Sequence, residues 1–128
     1  MTPPEFLRPD GLLHSPAYSH VVVAGDTVYV AGQVGVDENN EPVSREFGPQ
    51  AERAFENLGM ALQAGGVDFE NVVKVTLFLR NATDVAELQK IMPRYFPEER
   101  APTNSLLIVH ALARPYLLFE VEAIAVRG

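Results

Sequence analysis

Two carboxylates, Glu120 and Glu122, stand two residues apart in Phe119 to Val126, FEVEAIAV. An alternating strand places Leu117, Phe119, Val121, Ala123 and Ala125 on one face and Leu118, Glu120, Glu122, Ile124 and Val126 on the other. The two acids then share a face, one pleat repeat or ~7 Å apart, inside an apolar frame. A carboxylate that loses water must find hydrogen bonds, a cation, a proton or a wet cavity. Like charges, partly desolvated, raise the pKa of at least one member and create a proton carrier or a base that orients water. The competing readings are a solvated sheet edge with two surface glutamates, and ionic pairing with Lys74 or Arg127.

Other reactive residue types form no comparable pattern. His14, His20 and His110 lack close ligand spacing, and the chain has no cysteine, so neither a metal site nor thiolate chemistry is expected. The glycines of Ala31-Gly32-Gln33-Val34-Gly35 follow a strand but open a loop rather than a helix, which does not support a dinucleotide fingerprint. Ser15, Ser19 and Ser105 sit in no nucleophile-elbow context. No cofactor is expected.

The elements that must position the acids follow from periodicity. Met1 to Pro16 carries four prolines and reads as an extended or turning arm. A hairpin pairs His20 to Ala24 with Thr27 to Ala31 across Gly25-Asp26, and Gly32 to Gly35 continues or bends its second strand. Asp37 to Ser44 is a loop. From Pro49 to Ala64 the stripe Ala51, Ala54, Phe55, Leu58, Ala61 and Leu62 predicts a helix ended by Gly65-Gly66. Asn71 to Leu79 reads as a strand with Val73, Val75, Leu77 and Leu79 on its apolar face and Val72, Lys74, Thr76 and Phe78 on the other. A second helix runs from a cap at Thr83 or Asp84 to about Tyr95, with Pro93 expected to kink or shorten it. Two closing strands, Ser105 to His110 and Tyr116 to Val126, are expected to form a hairpin around Ala113-Arg114-Pro115.

At 128 residues this is read as one α+β domain, 1–128, with a five- to six-stranded mixed sheet and two helices on one face. The apolar fraction of 47% is that of a globular protein, no run is long enough to cross a bilayer, and MTPPEFLRPDGLL lacks a secretory signal pattern, so a cytoplasmic address is expected. A net charge of −7, with Lys and Arg scattered, repels nucleic acid and membrane surfaces rich in anions. Two helices cover one sheet face while several strands are apolar on both. The uncovered face is expected to meet the same face of sister subunits, the alternative cover being Phe6, Leu7 and the proline arm folded beneath the sheet.

Taken in order, Tyr18-Ser19, VYVAGQVGVD (Val28 to Asp37), NLGMALQAGG (Asn57 to Gly66), VVKVTLFLRNATD (Val72 to Asp84), Pro102 with Ser105, and FEVEAIAV resemble the Rid family. This is the reactive intermediate deaminase or RidA/YjgF superfamily, also labelled endoribonuclease L-PSP or translation initiation inhibitor. The resemblance covers nearly the whole chain. It implies a chorismate-mutase-like fold and a homotrimer whose sheets form a central barrel, with small-molecule clefts between subunits. It also implies hydrolysis of enamines and imines, such as 2-aminoacrylate, to a keto acid and ammonia. Tyr18 matches the tyrosine lining the family cleft, and Glu120 the glutamate that orients water; Ala31, Gly32, Asn104 and Ser105 fall on substrate-binding positions.

The departures from that pattern concern charge. Asn104, in Pro102-Thr103-Asn104-Ser105, stands where the family clamps the substrate carboxylate with an arginine; Ala31 stands for a serine, Gln89 for an asparagine and Leu106 for a cysteine. An arginine fork supplies charge-assisted hydrogen bonds of about 1.5–3 kcal/mol each, which an amide does not replace. Arg100 or Arg114 is the candidate substitute, against the default of a solvated loop charge. The expectation is therefore an imine or enamine deaminase or tautomerase not optimised for 2-imino carboxylates. The alternatives are a metabolite-binding trimer without turnover and, disfavoured for want of a basic stripe, an endoribonuclease.

Overall fold

The computed structural model describes residues 2–128; Met1, the first residue of the expected arm, lies outside the described residues. The strands are β1 (Glu5–Leu7), β2 (Val21–Ala24), β3 (Thr27–Val34), β4 (Val72–Leu79), β5 (Thr103–Ile108) and β6 (Phe119–Val126), and the helices α1 (Phe47–Ala64) and α2 (Val85–Ile91). They form an α+β fold with one mixed six-stranded sheet in the order β1-β2-β3-β6-β4-β5. Only β4 and β5 run parallel. No helix among the described residues is long and apolar enough to cross a membrane.

The sheet buries one face under α1 and α2. Val21, Val28, Val75, Leu79, Phe119, Val121 and Ala125 are closed to solvent and pack with Ala51, Ala54, Phe55, Leu58 and Leu62 of α1, the stripe predicted by the 3.6-residue period. Phe55 anchors an aromatic cluster with Tyr95, Phe96 and Phe119. The helix begins two residues before its expected start because Pro49 falls in the first turn, where a missing N–H loses no intrahelical bond. Its end is as expected: Gly65 caps it, and Gly66 takes φ +80°, a conformation that favours glycine.

Three expectations need correction. The closing strands do not form a hairpin: β6 lies between β3 and β4, while β5 pairs parallel with β4 after the α2 crossover. The wholly apolar stripe of β6 claims the centre of the sheet, and β5, exposed along its length, is left at the edge. In β4 the register breaks between Val72 and Lys74, so Val72 is buried and Val73 is exposed, the reverse of strict alternation. As expected of Pro93, the second helix is shortened: it stops at Ile91 and tightens into a 3₁₀ turn, Met92–Arg94, because Pro93 has no N–H to continue the ladder. Asp84 is its N-cap by position but makes no capping bond.

The N-terminal arm does not cover the free face. Glu5–Leu7 extends the sheet edge-on beside β2 with Phe6 63% exposed, and Leu12 joins the core beneath the helices. The face opposite the helices therefore shows Tyr29 and Val126 to solvent, with Phe78 and Ile124 half-covered.

Buried amides tie the loops to this frame. Gln50, fully buried in α1, donates to the carbonyls of Ser44 (2.9 Å) and Tyr116 (2.7 Å) and accepts from the N–H of Leu118 (2.9 Å). Asn57 donates to the carbonyls of Val34 and Val36, both at 2.9 Å. Replacing Gln50 by Leu keeps the volume but orphans three backbone groups at roughly 1–3 kcal/mol each. Denaturant unfolding of Gln50→Leu is expected to show a loss of about 3 kcal/mol or more at unchanged m-value; a loss below about 1 kcal/mol would show that water replaces the amide.

Candidate functional site

Because Phe119 and Val121 must point into the core, Glu120 and Glu122 point to the free face of the sheet. Glu120 lies opposite Val34 of β3 and Phe78 of β4, and Glu122 opposite Thr76. Their exposure differs: Glu120 is half-buried and Glu122 is open. Burial pushes the Glu120 carboxyl above its ordinary range, and the charge on Glu122 adds to the rise. Among the described residues Glu120 forms no hydrogen bond and neither ion pair, so pairing with Lys74 or Arg127 does not account for it.

The backbone opposite is shaped to admit this side chain. The β3–β6 register breaks between Val30 and Gln33, leaving Ala31 and Gly32 as a bulge. A Cβ on Gly32 would lie 2.6 Å from Cδ of Glu120, so any larger residue there would push the Glu120 carboxylate out of its present position. Tyr18 stands on the segment before β2, its ring edge-on to His20 at 5.3 Å. Burial raises its phenol pKa, and the Glu120 carboxylate raises it further, which places the two groups in electrostatic reach.

The other sequence-derived candidates gather elsewhere. Asn104 pairs with Val75 in the β4–β5 register and so faces the helix side, whereas Ser105 pairs with Thr76 and faces the side of Glu122. Asn104 and Gln89 line a groove of about 290 Å³ between α2 and β5, floored by Leu88, Met92, Phe96 and Leu106. Within one chain, neither candidate arginine lines it. Arg100 pairs with Glu70 at 2.8 Å, and Arg114 donates to the carbonyl of Asn40 in a separate pocket beside Arg45 and Tyr116. One chain therefore carries the candidates in two groups on opposite faces, Tyr18–Gly32–Glu120 and Gln89–Asn104. No group of three His, Cys, Asp or Glu side chains suited to a metal occurs among the described residues.

Sequence reasoning passed over His20 and Gln33. Both are buried, at 4% and 3% exposure, and hydrogen-bonded to each other behind the bulge. The available signal was a glutamine following Ala31-Gly32, the pair that shifts the pleat and turns it inward.

Residues 12–127 match the family described as endoribonuclease L-PSP. A 2-iminobutanoate/2-iminopropanoate deaminase of Rattus norvegicus is 38% identical over 113 residues, covering 88% of this chain and 81% of its own. The chain belongs to the RidA/YjgF/L-PSP superfamily. Among solved structures, yeast Mmf1 aligns with a TM-score of 0.92 at 27% identity, covering 98% of this chain and 100% of its own. RidA from the Antarctic bacterium Psychrobacter sp. PAMC 21119 aligns with a TM-score of 0.88 at 29% identity, covering 95% and 98%. Both groups of candidate residues in this RidA-superfamily chain lie inside the matched residues, and β1 lies outside them.

The raised Glu120 carboxyl has a stability consequence. Between its unfolded and folded pKa values the folded chain holds a proton that the unfolded chain has lost, so ionisation above that window destabilises the fold. Glu120→Gln, which mimics the protonated acid, is expected to raise Tm at neutral pH. That advantage should close as the pH falls toward the ordinary carboxyl value of 4.5. Paired thermal scans across this range check it; a variant less stable at neutral pH would contradict the assigned desolvation.

Proposed function

We propose that this chain forms a trimer whose inter-subunit clefts bind a small neutral imine, enamine or enol and hydrolyse or tautomerise it, with Glu120 as the base or water-orienting group. The observation that carries this reading is the half-buried Glu120 carboxylate, its pKa raised by burial and by Glu122, set against Gly32 and within electrostatic reach of Tyr18. A base of this kind sits closer to neutral pH than a solvated carboxylate, where general-base catalysis is most effective.

For an imine the chemistry is short. Water attacks the C=N carbon while Glu120 takes one of its protons and passes it to the nitrogen; the remaining hydroxyl proton follows the same route through Glu120 as the C–N bond breaks, which leaves a carbonyl and releases ammonia. An iminium carbon is already electrophilic, so placing the water and substrate supplies most of what is needed. The deaminase name of the rat relative supports this reaction class.

Two features support a cleft between subunits. Tyr18, Gly32 and Glu120 lie on one side of the sheet and Asn104 on the other, so one substrate can meet both half-sites only if a second chain supplies the second. The edge strand β5 exposes Leu106, Leu107 and Ile108, and an apolar edge of this kind is stable in solution when another surface covers it.

The groove beside β5 sets the substrate class. It offers the neutral amides of Asn104 and Gln89 over apolar side chains, and no guanidinium from its own chain. A 2-imino carboxylate would lose charge-assisted hydrogen bonds of about 1.5–3 kcal/mol each relative to an arginine clamp. A neutral imine would lose nothing. The net charge of −7 argues against the phosphate contacts that an RNA substrate requires.

The test generates imines in situ and follows ammonia release and semicarbazone trapping. The native chain should accelerate hydrolysis of a neutral imine more than that of 2-imino acids, and Glu120→Gln should lower kcat by about 10²–10⁴-fold. Asn104→Arg should raise kcat/KM for 2-imino carboxylates by roughly tenfold or more. Sedimentation should give three times the 14.1 kDa chain mass. A stable monomer, or turnover indifferent to Glu120→Gln, would overturn the reading; tight ligand binding without turnover would leave a metabolite-binding trimer.

A further inference from the structure

Four polar side chains are buried among the described residues, and two of them, Gln50 and Asn57, serve loops around α1. The other two, His20 and Gln33, lie directly behind the candidate site. The Gln33 amide nitrogen has two hydrogens and spends both, one on the Ala31 carbonyl (3.1 Å) and one on Nδ1 of His20 (3.0 Å). Nδ1 must therefore accept, which puts the imidazole proton on Nε2, where it is donated to the Leu13 carbonyl. The backbone carbonyl of His20 also receives the Ala31 N–H at 2.9 Å, and its ring carries Tyr18 edge-on.

One neutral histidine thus touches the segment before β2, the Tyr18 ring and, through Gln33, the bulge that admits Glu120. A second proton would break this arrangement. An Nδ1–H would face the Gln33 NH₂ donor to donor. Turning the amide over would offer its oxygen to Nδ1–H but set that oxygen against the Ala31 carbonyl. Neither orientation satisfies both partners, and a buried polar group without a partner is costly. The groups facing the ring are uncharged: the Leu13 carbonyl from the N-terminal segment, the Gln33 amide from β3 and the phenol of Tyr18, with the Glu120 carboxylate of β6 in electrostatic reach of that phenol.

We infer that His20, acting through Gln33, is a positioning residue: the pair holds the Ala31–Gly32 bulge beside Glu120 and the Tyr18 ring within electrostatic reach of it, and protonation of the imidazole releases them. The kinetic consequence rests on the function proposed above, but the coupling itself does not.

The first measurement therefore needs no substrate. In the native full-length chain, the Ala31 and Gly32 amide resonances should shift with the same pH midpoint as the His20 imidazole nitrogens, which should report the Nε2–H tautomer at high pH. In His20→Gln that shift should vanish. Amide shifts that ignore the imidazole midpoint, or persist unchanged in His20→Gln, would overturn the coupling. The second measurement uses the imine assay. His20→Ala should lower kcat roughly tenfold or more with KM little changed, and His20→Gln, which restores an uncharged hydrogen-bonding side chain, should recover most of the loss. A loss of kcat that His20→Gln does not recover would overturn the positioning role. Absence of turnover in the native chain would count against the imine reading alone.

Discussion

The pleat of β6 couples two demands that cannot be met separately. Phe119, Val121, Ala123 and Ala125 must all enter the core beneath α1, and with a period of two this commits Glu120 and Glu122 to the opposite face. A slip of one residue would bury both acids and expose the aromatic centre of the core. The register of the central strand therefore specifies the fold and aims the carboxylate in a single choice. The surrounding β3 and β4 then determine how much water each acid keeps, and Glu120, beside the bulge, keeps less than Glu122.

Around that strand the chain uses uncharged buried groups rather than ion pairs. The two ion pairs among the described residues, Arg94–Glu52 and Arg100–Glu70, are largely exposed and contribute little to stability. Gln50 instead gathers the turn before α1 and the approach to β6, Asn57 holds the strand end after the bulge, and Gln33 with His20 holds the bulge itself. Each amide meets backbone groups that the sheet cannot pair. Burial is the larger cause of the raised Glu120 carboxyl, and Glu122 is the charged group that adds to it.

The candidate residues fall on two faces of the sheet. Parallel pairing of β5 with β4 sends Asn104 to the helix side and Ser105 to the free side, and no rotamer brings the Asn104 amide through the sheet to Glu120. A free face with Tyr29 and Val126 in the open, and an edge strand apolar on both sides, are surfaces that self-association removes from water.

Much of this was legible in the residues. The alternation of β6, the stripe of α1, the Gly25-Asp26 hairpin and the Gly65-Gly66 stop are local patterns, because side-chain direction depends on backbone period and turn chemistry within a few residues. The same alternation put the pair Glu120 and Glu122 on one face, and only the resemblance to the Rid family pointed to Glu120 within it. What remained hidden depends on partners distant in the chain. The β5–β6 hairpin was expected from adjacency, yet the parallel β4–β5 pairing and the central place of β6 emerge only when the strands compete for a shared core. The burial of Val72 in place of Val73, the inward turn of Gln33 and its bond to His20 all follow from bulges, and an extra residue in one strand is defined only against the strand beside it.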